Sequence, residues 1–516
     1  MFKSQSKNSF LVTIIIMLFV LLFSLSTSAA EQILKIGMDA TDIKSISILD
    51  TTHAQDGVIR VAVYEKLADY KVPGQVTEDM VPELAVSWEH SDDFKVWTFQ
   101  LREGVQFHKG YGEMTAEDVK FSIDQVRNPD ISIHASRPVF SDIKEVIILG
   151  KYTLQIVLNN PEPRYISQIS QDSWGLPVTS KKAFEELGEG LNTNPIGTGP
   201  FEFAEYKPME YSKVVRFEDY WGKKAKLDAF IVYYMPDITA RNIAIKKGDV
   251  HIIKGLYDST WEGEMEQVGL TFDMLGLSYS SLLFFNLRIK PLDNKLVREA
   301  IAYAIDREEI GILFGAKPQI APVPSTWLYH IPEGKGIPRY DYNPEKAKEK
   351  LAEAGFPDGL KIGPEYVSES SFYKNQFDVI QAQLREVGID LEIIKVDHTT
   401  FKNSNTQGIQ PLPFIGCGPY DGQTMFFTYF HTASGNQNYA DYHKIDDLLD
   451  SSKGKSSKEV SEIIAKAQQQ VMEDLIVYPT IEVGTPLARR PEVVLGYEPI
   501  SSAMSFYPIT VDTYIK

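Results

Sequence analysis

The chain has 516 residues, enough for two or three packed lobes, and its 43% hydrophobic and 24% charged composition is globular, which excludes disorder, collagen or a continuous coiled coil as a description of the whole. A formal net charge of −18 makes a surface that repels phosphate backbones and argues against nucleic acid as a partner. The lone cysteine, Cys417, leaves no intrachain disulfide and no thiolate cluster for zinc or iron–sulfur, and reads as a small buried residue.

In chain order, the first element is a leader. Lys3 and Lys7 precede an apolar run from Phe10 to Leu25, interrupted only by Thr13 and Ser24, and small residues follow at 26–30. This is the layout of a cleaved secretory signal peptide, with Ala30 or Glu31 as the expected mature N-terminus. No cysteine stands near the cleavage site, so no lipobox anchor is expected, and the mature chain is expected to be exported and, in a bacterium, periplasmic.

The run Ile33–Gly37 reads as a first strand, and Trp97–Arg102 alternates as a half-buried strand does. Thr115 and Asp118 are spaced to cap a helix that continues through Val119, Ile123 and Val126. Val146–Leu149 and Leu154–Leu158 flank Gly150-Lys151 as a hairpin. Further helices are predicted over 295–310, 344–354, 375–387 and 457–475, with a strand at 389–393. Strands and helices mix along the whole length, so the class is α/β, and no repeat or low-complexity linker separates beads on a string.

Motifs of catalysis are mostly missing. There is no HExxH, no GxxxxGK[ST] and no GxSxG, and Gly197-Thr198-Gly199-Pro200 departs from a dinucleotide fingerprint at Glu202. Ser371–Lys374 and Ser452–Lys455 fit S-x-x-K without a companion KTG. The nine histidines form no metal pattern, and His108, between a strand and a helix, reads as structural. A secreted hydrolase is therefore the weak alternative to a binding protein, and no cofactor or metal is expected.

The stretches Leu84–Asp93, Trp97–Gly110 and Thr115–Ser122 closely resemble the signature of extracytoplasmic solute-binding proteins of family 5, the dipeptide/oligopeptide/nickel-binding proteins of ABC importers. Asn194–Phe201, Asp219–Gly222, Phe285-Asn286, Val297–Ile301 with Ala304–Arg307, and Tyr342–Ala347 resemble the same family in order. Physically these motifs are structural: Trp88, Trp97, Phe99 and Phe107 suit a core, Gly104 and Gly110 suit turns, and Thr198 between two glycines suits a close backbone crossing.

The resemblance implies a two-lobed periplasmic-binding-protein fold of class II, in the large cluster with an extra subdomain, hinged between its lobes. The implied layout is a signal peptide over 1–30, lobe I over 31–63, 196–276 and 485–516, an appended subdomain over 64–195, and lobe II over 277–484. It implies a monomeric receptor that captures a peptide-like or related solute and hands it to ABC permease subunits of the inner membrane. An oligosaccharide or a nickel chelate is the alternative solute, and a chaperone or sensor-coupled binder the alternative role on the same fold. The implied solute contacts are Thr52 and His53 in an early loop, Trp327 in a second-lobe loop, and Cys417, Gly418, Tyr420 and Asp421 in the stretch matching the family's ligand loop. In dipeptide binders of the family an aspartate pairs with the peptide amine and an arginine with its carboxylate. Here Gly418 takes the first position unless Asp421 slides into it, and no arginine lies between Arg339 and Arg385, with Val367 in the second position. A zwitterion clamped at both ends is thus disfavoured, since a buried terminal charge without a partner costs several kcal/mol.

Overall fold

The computed structural model describes residues 31–43, 45–50, 56–71, 79–132, 134, 137–170, 175–417, 421–497, 506 and 508–516. Among them, nine strands form one sheet. Its spine runs in the order 414–417, 271–284, 477–489, 252–254, 33–38, 229–234, 211–216 and 201–207, with 317–318 paired to 477–489 off that path. The first strand, Ile33–Met38, lies parallel to both of its neighbours, Ala229–Tyr234 and Ile252–Lys254. Loops leaving the carboxyl ends of these three strands therefore collect along one edge, where open α/β sheets place their ligands.

Two long antiparallel strands, Thr271–Phe284 and Val477–Arg489, join two bodies. At one end Leu275 and Leu487 belong to a buried cluster built from residues 34–252 and 493–509. At the other end Leu282, Leu283, Val477 and Tyr478 belong to a second cluster running from Leu282 to Val483. Pairing register breaks between Leu275 and Tyr279, opposite Thr485 and Val483, between the two bodies. Strand Val477–Arg489 is buried at every residue but its last, its polar Thr480, Glu482 and Thr485 included. The fold is α/β and two-lobed.

The first lobe carries an antiparallel sheet ordered 85–90, 96–101, 153–158 and 143–150. Trp97, Phe99 and Leu101 alternate inward against Leu154 and Ile156, as the period-two pattern requires. Helix Ala116–Arg127 packs its Val119, Ile123 and Val126 face into this core. Its start is a capping box: Thr115 accepts from Glu117 N–H, and Asp118 accepts from Thr115 N–H at 3.0 Å. Gly104 and Gly110 hold φ of +77° and +73°, as the turn reading requires.

Two sequence expectations change. The helix expected over 295–310 is two, Lys295–Ala304 and Arg307–Phe314, because Asp306 accepts from Glu308 and Glu309 N–H at 3.0 and 3.1 Å and caps a new start. The helix expected from Asn375 begins at Ser371. It packs on the parallel pair Leu360–Ser368 and Ile389–Val396.

The crossing at Gly197-Thr198-Gly199 is steric. A Cβ on Gly197 would lie 2.1 Å from Val63 O, and one on Gly199 would lie 2.4 Å from Ala62 O. Gly199 N–H donates to Val63 O at 2.9 Å. His108, fully buried, accepts the Gly197 N–H at Nδ1 (3.3 Å), which fixes the tautomer that donates from Nε2 to Gly199 O (2.9 Å). Its role is structural.

Candidate functional site

The lobes touch beyond the long strands. Residues 161–164 of the first lobe, just before helix Tyr165–Ile169, reach the second lobe at the N-terminus of helix Gly422–Tyr429. Arg164 Nη1 lies 3.2 Å from Asp421 Oδ2, and Arg164 Nη2 donates to Gln423 Oε1. The Arg164 guanidinium also sits over the Tyr329 ring, 5.3 Å from its centre, within cation–π range. Gln423 in turn donates to Ser452 Oγ at 2.6 Å. Next to this, Pro161 packs at Gly454 so closely that a Cβ there would lie 2.9 Å away.

Asp421 is held by its own helix as well. As N-cap it accepts from Thr424 N–H at 3.0 Å and from Thr424 Oγ at 2.9 Å. Arg164 and Asp421 side chains are 6% and 4% exposed, so this pair is shielded from solvent. Burial pushes the Asp421 carboxyl up, but Arg164 and the Thr424 bonds outweigh it and hold the pKa below the usual carboxylate range. Burial likewise opposes the Arg164 charge, and Asp421 with Glu162 outweighs that and raises its pKa. Glu162, 3.7 Å from Arg164 Nε, is pushed up by burial, with Arg164 pulling the other way.

Nearer the long strands, Tyr257, which follows strand Ile252–Lys254 and packs against the second core, meets Phe372 at the start of helix Ser371–Glu386 edge-on, ring centres 5.3 Å apart. Phe372 in turn covers the backbone of Gly416, where a Cβ would lie 2.8 Å from its ring. On the sheet edge Lys254 and Asp39 pair at 3.0 Å. The early loop is pinned at both ends: Arg60 Nη2 donates to Ser45 O and Asp50 O at 3.2 and 3.0 Å, and Ser45 N–H donates to Asp56 at 3.3 Å.

Of the residues expected at the site, Thr52, His53, Gly418 and Tyr420 lie outside the described residues. Cys417 ends the strand Phe414–Cys417, paired to Ser280. Trp327 is 9% exposed and belongs to the second-lobe core. Val367 is fully buried in that same core. Asp421 faces the opposite lobe with its carboxylate already engaged. Sequence reasoning missed Arg164, Gln423, Tyr257 and Phe372, because each matters through a partner far away in the chain.

A cavity of about 500 Å³ lies inside the first lobe, between Arg60, Tyr64, Glu65 and Tyr220 and the segment 508–512. No residue of the second lobe lines it, so it is distinct from the space between the lobes. Burial pushes the Glu65 carboxyl up to about 7 against the hydrogen bonds from Trp221 and Tyr220. Among the described residues no group of three or more His, Cys, Asp or Glu is placed to hold a metal, and no helix is long and apolar enough to cross a membrane.

Two α/β lobes joined by a pair of long strands, with a further contact across the gap, define a binding protein that closes around a solute. The model of bacterial extracellular solute-binding proteins, family 5 (middle), matches residues 79–439, and the chain belongs to this family. It is 28% identical over 452 residues to the dipeptide-binding protein of Escherichia coli K12, covering 80% of this chain and 82% of that one. The solved structure of the binding protein MoaA of A. tumefaciens R10 with mannopinic acid superposes with a TM-score of 0.82 at 25% identity, over 94% of this chain and all of that one (100%). The periplasmic binding protein DppA of Helicobacter pylori with the peptide STSA superposes with a TM-score of 0.79 at 27% identity, over 94% and 98% of the two chains.

Proposed function

We propose that this chain is the exported receptor of an ABC importer, capturing a peptide-like or related small solute between its lobes and delivering it to permease subunits in the inner membrane. It works as a monomer, binds without turnover, and loses residues 1–30 as a signal peptide on export to the periplasm. Lobe I comprises 31–63, 196–276 and 485–516, the appended subdomain 64–195, and lobe II 277–484. The solute is met by Thr52 and His53 from the first lobe and by Trp327 and the stretch 417–421, with Cys417, Gly418, Tyr420 and Asp421, from the second.

The observation that carries this reading is the pair of long strands that change core midway, with Arg164 and Asp421 meeting across the gap they leave. The ligands named for the relatives, a dipeptide, a peptide STSA and mannopinic acid, set the size class. By the family resemblance Val367 and, unless Asp421 slides into its place, Gly418 take the two positions at which a dipeptide binder clamps terminal charges, so the solute is held by backbone groups and aromatics with few charges. Calorimetric titration with dipeptides, end-blocked oligopeptides and neutral oligosaccharides tests this. Saturable binding of an end-blocked peptide or a neutral sugar is expected. Tight dipeptide binding abolished by blocking either end contradicts it. Mass spectrometry of the exported protein should start at Ala30 or Glu31 without an acyl adduct.

A further inference from the structure

Asp421 is a buried carboxylate at the face where the lobes meet, and the cation beside it belongs to the protein. Both of its oxygens are engaged, Oδ1 by Thr424 N–H and Oδ2 by Thr424 Oγ and Arg164 Nη1. Arg164 comes from the opposite lobe and is itself locked by Gln423, the Tyr329 ring and Glu162. Gln423 is fixed by Ser452, so the acceptor for the second arm of the guanidinium is set before the lobes meet.

We propose that Arg164 is a specificity-determining residue: it is the protein's own counter-cation for Asp421, so the closed cleft needs no cationic group from the solute there and selects solutes without an ammonium directed at Asp421. This rests on the solute-binding reading and narrows it. A solute ammonium aimed at Asp421 must first displace Arg164. The guanidinium would then be left facing Glu162 alone, away from Gln423 and from the carboxylate that balances it. Removing one member of a buried charged pair is penalised far more than exchanging both for neutral groups. Opening the lobes separates the pair into water, where each charge is solvated. Closure and charge balance at Asp421 are therefore one event.

The experiment has two arms on the mature full chain. The first uses no ligand: small-angle scattering of wild type, R164M, R164K and the double variant R164M/D421N. R164M should shift the ligand-free protein to a larger radius of gyration, because closing would bury Asp421 without a cation. The double variant should return towards wild type, since neither charge remains, and R164K should fall between. Should R164M fail to fold, R164K against wild type carries the comparison. Identical scattering across the series overturns the coupling.

The second arm uses tri-alanine and N-acetyl-tri-alanine as probes in calorimetry. Wild type should show no preference for the free amine. R164M, with Asp421 uncovered, should prefer tri-alanine by roughly tenfold, and the double variant should lose that preference. Wild type preferring the free amine by a similar factor, or R164M gaining nothing, overturns the specificity role. Failure of wild type to bind any of the dipeptides, end-blocked oligopeptides and neutral oligosaccharides titrated for the proposed function sinks the receptor reading, and the scattering arm is independent of it.

Discussion

Gly197 passes Val63 so closely that the oxygen of Val63 occupies the space a Cβ on Gly197 would need, at 2.1 Å. The crossing ties the segment after the appended sheet to the helix Gly57–Val63, whose Arg60 holds the early loop. A close approach of backbone to backbone cannot relax by rotating a side chain. Position 197 thus sets how closely helix Gly57–Val63 can approach the segment 197–199.

G197A should therefore destabilise the protein by about 3 kcal/mol or lose the folded state, the overpacking mechanism at its least forgiving. G199A, 2.4 Å from Ala62 O, should do the same. G104A is the contrast: nothing lies within 4 Å of its Cβ, so its cost comes only from the backbone at φ +77° and should stay near 1 kcal/mol, as expected for strain of this kind. Urea midpoints for the three variants give the ranking, and G197A matching G104A would contradict the steric account.

His108 provides a pH test. Burial lowers its pKa from 6.5 to about 4 in the folded chain, the hydrogen bond to Gly199 O opposing the shift and the nearby Lys109 charge adding to it. A depressed histidine contributes stability that is full above its unfolded pKa and is lost as pH falls from 6.5 towards about 4. The expected loss is about 1.4 kcal/mol for each pH unit in that window. H108Q should be less stable at pH 7 and should lack this share of the acid slope. Urea midpoints at several pH values from 7 down to 4.5 measure it. An acid slope in H108Q as steep as in wild type would remove His108 as a cause.

Much of this was legible in the sequence for a physical reason. The capping residues Thr115 and Asp118, the alternation Trp97–Leu101 and the glycines at 197 and 199 act within short stretches, so residue type and spacing carry them. The long strands Thr271–Phe284 and Val477–Arg489 carry no such signal, since Asp273, Ser280, Ser281, Thr480 and Glu482 interrupt their apolar residues without a regular period. The split at Asp306 was hidden because its apolar stripe continues through Ile305 and Ile310 while the backbone restarts on the Asp306 carboxylate. At the site, the sequence points to Asp421 through its loop and gives no sign of Arg164. Nothing near Arg164 in the chain indicates a partner 257 positions on, and only the packing of the two lobes brings the pair together.

Arg298, in the motif Val297–Ile301, locks the second lobe by backbone contacts alone. Its Nε donates to Leu475 O at 2.8 Å and its Nη2 to Asp474 O at 2.6 Å, while Nη1 donates to Leu292 O and Asp293 O at 2.7 and 3.1 Å. The guanidinium thus joins the loop ahead of helix Lys295–Ala304 to the turn between helix Ser457–Glu473 and the long strand Val477–Arg489. Burial lowers its pKa, with Asp474 the leading opposing charge. Charge-assisted hydrogen bonds contribute about 1.5–3 kcal/mol each, and R298A would leave four carbonyls to find water or go unpaired. R298A should cost at least about 3 kcal/mol, and R298K should recover little, because a lysine ammonium presents no planar fork to reach both turns. The readout is the urea midpoint together with hydrogen exchange at residues 474–477, where protection should fall first. If R298K keeps wild-type stability and protection, a point charge suffices and the fork geometry is irrelevant to holding the end of the long strand.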